Sequence, residues 1–200
     1  TRLRLSMEFL HTDSELTEDM VRDIEDMDAI LDQFLAFIRD GRDEPLEQID
    51  LLELIREVVA PYNQKQEMVR LCLEPVPAFP LRRVSLKRLL VNLIENALRY
   101  GGNAVEVAVS LSGDHSAPYV VLSVLDRGAG IDPAELGSIF NPFIRGDRAR
   151  GGQGAGLGLA IVRRIAALHG GSVELRNRSG GGLEARVCLP LGLLLPRDAV

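Results

Sequence analysis

Tryptophan is absent from the 200-residue chain, aromatic residues make up 4% of it, and there are two cysteines and three histidines. No Lys/Arg cluster interleaved with aromatic side chains occurs, which argues against nucleic acid as a partner. Cys72 and Cys188 stand alone in apolar, strand-like surroundings with no CxxC and no Cys/His cluster, which favours thiols in a reducing compartment over a disulfide, the alternative. Both are expected to be buried free thiols. No apolar run approaches the roughly 20 residues that span a bilayer, and no basic-then-apolar leader opens the chain. Thr1 to Leu10 reads as helix without a starting cap, so the expectation is a piece cut from a longer polypeptide. With 46% apolar and 26% charged residues, the composition is that of a soluble globular chain and excludes disorder and collagen-like repeats.

The net charge of −6 conceals two unlike regions. Asp13 to Glu57 holds 16 acidic and 4 basic residues, a balance of −12; the remainder, with 13 acidic and 19 basic, carries +6. An acidic helical stretch reads as a solvated face, and a mildly basic remainder is compatible with a polyphosphate ligand. Glycine marks a second division, because Gly41 stands alone among the first 100 residues and the other 18 of 19 follow Tyr100. Met20, Ile24, Met27, Leu31, Phe34 and Ile38 alternate steps of four and three, the seam of a helical bundle, and Leu3, Met7 and Leu10 carry the spacing upstream. Thr12 and Glu15 stand at capping-box spacing between them, giving a helical hairpin that needs a second copy to bury its seam as a four-helix bundle. The divisions expected are a hairpin over 1–41, a linker over 42–48, a second domain over 49–192 and a tail over 193–200.

In the second domain, Asp50 with Glu53 opens a short helix to about Ala60, Met68 to Leu73 alternates as a strand, and Ser85 caps a helix reaching Leu98. Ala104 to Leu111 and Tyr119 to Leu125 are adjacent strands, and Asp132-Pro133 starts a further helix. Leu157 to Leu168 is helical, and Ser172 to Arg176 pairs with Leu183 to Leu189 across Ser179-Gly180-Gly181. Without strict βαβ alternation this is an α+β chain, a two-layer α/β sandwich with a largely antiparallel sheet. Asn141 to Ala155 is a long segment without a pattern, of the kind that is either functional or disordered.

There is no GxxxxGK[ST], no GxGxxG, no HRD and no DFG, which removes the P-loop, Rossmann and Ser/Thr-kinase readings. What remains is an ordered set: Asn92-Leu93-Ile94-Glu95-Asn96 running to Arg99-Tyr100, Asp126-Arg127-Gly128-Ala129-Gly130, Phe140-Asn141-Pro142-Phe143, and Gly154-Ala155-Gly156-Leu157-Gly158-Leu159. In this order and spacing the set resembles the N box, first glycine box, F box and second glycine box of sensor histidine kinases. Gly181-Gly182 with Leu189-Pro190 is similar to the family's closing segment, so the resemblance covers nearly the whole chain.

The resemblance implies an ATP-binding domain of the histidine kinase, gyrase and chaperone type, with ATP and Mg²⁺ bound. Asn92 and Asn96 lie four apart on one helix, so both amides face one way, and an amide carbonyl is a hard oxygen ligand suited to Mg²⁺. By resemblance Asn96 is the metal ligand and Asn92 its phosphate-side neighbour, although two Asn solvating a helix is the alternative. Asp126 would accept the adenine amino proton, with Gly128 and Gly130 letting backbone approach the ring; taken alone it also reads as an ordinary turn Asp. Gly154, Gly156 and Gly158, at the start of a helix, would offer amides to phosphates. Arg99 and Arg145 are candidate phosphate partners, Tyr100 an adenine-side contact, and Phe140 and Leu157 complete the binding set. Phe140 and Phe143 are expected to pack the glycine-rich lid against the sheet. Asn92, Asn96 and Arg145 form the catalytic set.

Gyrase-like and chaperone-like relatives of this fold carry a Glu where this chain has Asn92, and Asn cannot take a proton from water. Glu95 should point about 100° away from Asn96 around the helix. The family's phosphoacceptor motif, His-Asp/Glu-x-x-Thr/Ser-Pro, fits none of His11, His115 and His169. His169 is expected as a cation favoured by a helix C-terminus. The opening Thr1-Arg2-Leu3-Arg4-Leu5 and the Phe143-Ile144-Arg145-Gly146-Asp147 run resemble the EnvZ-type osmosensor branch, which would put the acceptor about seven residues, or two turns, before Thr1. The resemblance further implies a homodimer through the hairpin (1–41 being the end of a dimerisation and phosphotransfer hairpin), a response-regulator receiver domain as partner, and a membrane-anchored parent of which this is a cytoplasmic portion in a bacterial inner-membrane protein. Two other readings stand beside it: a gyrase-class ATPase, and a nucleotide-gated docking module that transfers no phosphate.

Overall fold

The computed structural model describes residues 20, 21, 24, 27, 31, 41–102, 104–113, 117–144 and 156–192. Met20, Val21, Ile24, Met27 and Leu31 are helical. Beyond Gly41, strand β1 (Glu47–Ile49) leads into helix α1 (Leu51–Val59). Asp50 caps α1 as its spacing predicts, accepting from the Leu52 and Glu53 amides at 2.9 and 3.1 Å, a contribution of about 1 kcal/mol. A 3₁₀ turn (Ala60–Asn63) follows, and the Asn63 side chain accepts from the Met68 and Val69 amides and donates to the Val69 carbonyl, setting the start of strand β2 (Val69–Leu73). Strand β3 (Phe79–Leu81) pairs antiparallel with β1, Ile49 opposite Phe79. The sequence pattern gives neither β1 nor β3, since three residues are too few to display a period of two.

Helix α2 (Arg83–Gly101) begins two residues before the expected cap. Ser85 is buried inside its first turn, and the end is capped from outside by Glu44, whose carboxylate accepts from the Val84 amide and, at 3.0 and 2.6 Å, from the Ser85 amide and hydroxyl. A carboxylate there both satisfies orphan donors and complements the helix dipole.

The main sheet comprises β2, β4 (Val105–Ser112), β5 (Tyr119–Leu125), β6 (Ser172–Asn177) and β7 (Leu183–Pro190), in the order β2-β4-β5-β7-β6. β2 is parallel to β4 and the other neighbours are antiparallel. Register lines up Val107 with Val124 and Ala185, and Val109 with Leu122 and Val187, so one face is apolar throughout. Helix α2 and helix α3 (Gly158–Leu168) cover that face, burying Leu86, Leu89, Leu90, Leu93, Ile94, Ile161, Val162 and Ile165 against it. This is the expected two-layer α+β arrangement.

Three further expectations fail in this part of the fold. Asp132-Pro133 starts no helix: Asp132 does accept from the Ala134 amide at 2.8 Å, but successive i→i+3 turn bonds run to Asn141 without becoming a helix across Gly137. The cysteines are free but not buried; Cys72 is exposed on the edge strand β2 and Cys188 is half-buried. His169 caps α3 but is not a cation, since it is 2% exposed, Nδ1–H donates to the Ile165 carbonyl at 2.8 Å, and Nε2 accepts from the Arg82 amide at 3.0 Å. Burial lowers its pKa first and nearby Arg82 adds to that, against the opposing pulls of the Ile165 carbonyl and Glu44.

Candidate functional site

Between α2 and the segment after β5 lies a cleft of about 990 Å³, at the upper end of the range usual for small-molecule sites. Its floor at one end is Asp126, the residue just past β5 and 7% exposed. Asp126 Oδ1 accepts two backbone amides, Gly128 at 2.8 Å and Leu183 at 3.0 Å, while its own amide donates to the Leu183 carbonyl at 2.9 Å. Asp126 also lines the cleft, so a carboxylate fixed by backbone amides stands at its wall. Glycine makes this packing possible at two sites: a Cβ on Gly101 would overlap the Asp126 side chain, and one on Gly182, at φ +101°, would overlap its carbonyl oxygen.

At the other end, Asn92 and Asn96 project from one face of α2 toward the first residue of α3. Asn92 Nδ2 donates to the Arg88 carbonyl at 2.8 Å, which turns its carbonyl oxygen outward. A Cβ built on Gly158 would sit 3.1 Å from Asn92 Oδ1 and 3.3 Å from Asn96 Nδ2, so the glycine keeps the space before these amides clear. Two side-chain amides facing a helix N-terminus can bind an anionic group and, through their oxygens, a hard cation that retains most of its waters. Among the described residues no three His, Cys, Asp or Glu side chains gather into a metal cage.

The cleft brings together Asn92, Asn96, Arg99, Tyr100, Asp126, Gly130, Gly156 and Gly158. Gly128 stands behind the wall as a donor to Asp126, and Leu157 is fully buried. Phe140 packs on the core beneath the Arg163 guanidinium, 5.7 Å from its ring centre, and not on the cleft wall. Phe143 does not pack on the sheet: it is 60% exposed and is the one non-glycine residue at positive φ (65°) among the described residues. Its amide donates to the Gly156 carbonyl at 3.1 Å, joining the two described ends of the glycine-rich segment. Arg145 and Gly154 lie outside the described residues.

Three residues at the cleft escape the sequence reading. Gly101 and the Leu183 amide reveal themselves only by packing on Asp126, and Asn177 carries no motif. Glu95 borders the cleft despite its angular offset, because the cleft wraps a wide arc of α2.

Residues 82–193 match the family described as histidine kinase-, DNA gyrase B-, and HSP90-like ATPase, and the chain belongs to that family. It is 40% identical over 197 residues to the sensor histidine kinase GtrS of Pseudomonas aeruginosa, an alignment covering 96% of this chain and 39% of GtrS. Among solved structures it resembles full-length ShkA in complex with AMPPNP (TM-score 0.69, 26% identity, 95% of this chain and 42% of that one). It also resembles the histidine kinase domain of the Escherichia coli osmosensor EnvZ (TM-score 0.57, 34% identity, 78% and 95%). The chain thus spans about two fifths of the length of GtrS.

Proposed function

We propose that the chain is the catalytic ATP-binding part of a sensor histidine kinase, which binds Mg·ATP and delivers its γ-phosphoryl group to a histidine on a helical hairpin, for relay to a response-regulator aspartate. The observation that carries this is the buried Asp126, whose Oδ1 accepts two amides and which lines a cleft with Asn92 and Asn96 at its far end. In this reading Oδ2 accepts the adenine amino group, Tyr100 and Gly130 border the base, and Gly156 and Gly158 with the α3 N-terminus meet the phosphates together with Arg99, Arg145 and Gly154. Asn96 holds Mg²⁺ with Asn92 beside it; the outward carbonyl of Asn92 and the cleared space at Gly158 fit such a group. When bound, a metal held there would supply positive charge to offset that of the phosphates.

Phosphoryl transfer depends chiefly on positioning, so a site with an amide where hydrolytic relatives carry a base suits transfer over hydrolysis. The half-exposed Met20, Met27 and Leu31 support a homodimer through the hairpin of 1–41, with 49–192 as the ATP-binding unit. The named relatives support a receiver-domain partner and a membrane-anchored, EnvZ-type parent with this portion in the cytoplasm; no described helix is long and apolar enough to cross a membrane. To test the reading, γ-labelled ATP is incubated with the chain alone, with a hairpin bearing the acceptor histidine, and with its His→Ala variant. Acid-labile label on the hairpin only when its histidine is present is the expected result; label on His11, His115 or His169 overturns it.

A further inference from the structure

We infer that Asn177 is a positioning residue for the nucleobase: its side-chain amide clasps the backbone of Ile131 and so fixes the distance between the Gly128–Ile131 segment and Asp126. The inference rests on the ATP reading above and adds a determinant of base selectivity to it. Asn177 ends β6, where its Oδ1 accepts from the Ile131 amide at 2.9 Å and its Nδ2 donates to the Ile131 carbonyl at 2.7 Å. Of the side chains, only Asn and Gln present a neutral donor and acceptor side by side in this way, so the pair acts as a strand bridge made by a side chain. Gly130 fits the same design: at φ +72°, a Cβ there would strike Asn177 Oδ1. The glycine therefore lets the clasp close, whatever it also does for a ring.

The clasp is anchored to Asp126 itself. Arg178, the next residue, donates from Nη1 to the Asp126 carbonyl at 2.6 Å and from its amide to the Gly182 carbonyl at 3.0 Å. Asn177, Gly130, Ile131 and Asp126 all border the cleft, so one hairpin turn holds both the base-reading carboxylate and the opposing loop. Removing the clasp frees the loop without touching Oδ2.

The test measures the Kd of ATP and GTP for the 200-residue chain and for Asn177→Ala, Asn177→Asp and Arg176→Ala, with thermal unfolding of each. Asn177→Asp keeps the acceptor for the Ile131 amide but sets a carboxylate oxygen against its carbonyl; Arg176 lies on the same hairpin, outside the cleft, paired with Glu174. The expected result is that both Asn177 variants bind ATP about tenfold more weakly, the worth of one to two hydrogen bonds, with GTP affinity unchanged, so that the ATP:GTP preference falls by the same factor, while Arg176→Ala matches wild type. Unchanged ATP affinity in the folded Asn177 variants overturns the inference, as does an equal loss for both nucleotides or the unfolding of both variants, which would make Asn177 a structural residue only. A wild-type chain that binds neither nucleotide sinks the ATP reading and this inference with it.

Discussion

The two ends of the cleft are held by different means. At Asp126 the backbone does the work: two amides fix one carboxylate oxygen, and two glycines let a helix end and a hairpin turn press directly on the residue. At Asn92 and Asn96 side-chain amides alone stand before a helix N-terminus, with a glycine keeping the space open. Under the proposed function, the first end would tell a base from similar bases, which requires an acceptor that cannot move, and the second would receive and release a phosphoryl group, which a space lined by adaptable amides permits.

That contrast can be broken most forcefully at Gly182. Gly182→Ala places a methyl group on the Asp126 carbonyl at a positive φ, and about 3 kcal/mol of stability should be lost, read from urea unfolding; a variant as stable as wild type would show the Asp126 end to be slack. Asp126→Asn keeps an acceptor for the two amides but turns an NH₂ toward the base, so ATP affinity should fall about 100-fold, or about 2.7 kcal/mol, by calorimetry while the fold survives. At the other end, Asn96→Ala should weaken ADP about tenfold with Mg²⁺ and scarcely at all in EDTA. An equal loss in both conditions would remove Asn96 from the metal.

A pH experiment separates both ends from the root of α2. His169 is held neutral by burial, below its ordinary 6.5. The unfolded chain therefore takes up the proton first as pH falls, and the stability His169 supports is complete above 6.5 and is lost as pH drops through the folded value. Unfolding midpoints should thus fall from pH 7.5 toward pH 5 more steeply for wild type than for His169→Gln; parallel curves would argue against a neutral buried imidazole. The smallest effect is expected from Glu95→Gln. Although Glu95 borders the cleft, residual ATP hydrolysis should stay within about twofold of wild type if no carboxylate serves as base, whereas a 100-fold loss would return the chain to the hydrolytic class.

Much of this site was legible in order along the chain. Asn92 and Asn96 at helical spacing, Asp126 after an apolar strand, and Gly156 and Gly158 before a helix all converge on one cleft, because each sits at a fixed position on an element whose period is visible. The reading failed where an element is too short or its partner too distant. β1 and β3 have three residues each, and the cap of α2 comes from Glu44, about forty positions upstream of the amides it serves. At Asp132 the local capping chemistry formed but could not propagate a helix.

Sequence alone determined the amphipathic periods, the glycine-poor and glycine-rich halves and the candidate residues for the chemistry, since these depend on near-neighbour spacing and side-chain type. Tertiary structure decided that His169 is neutral, that Phe143 faces solvent and Phe140 packs under Arg163, and that Asn177 clasps Ile131. Burial, charge state and hydrogen-bond partnership are set by whatever the fold brings within a few ångströms, and for Asn177 that partner lies 46 residues away.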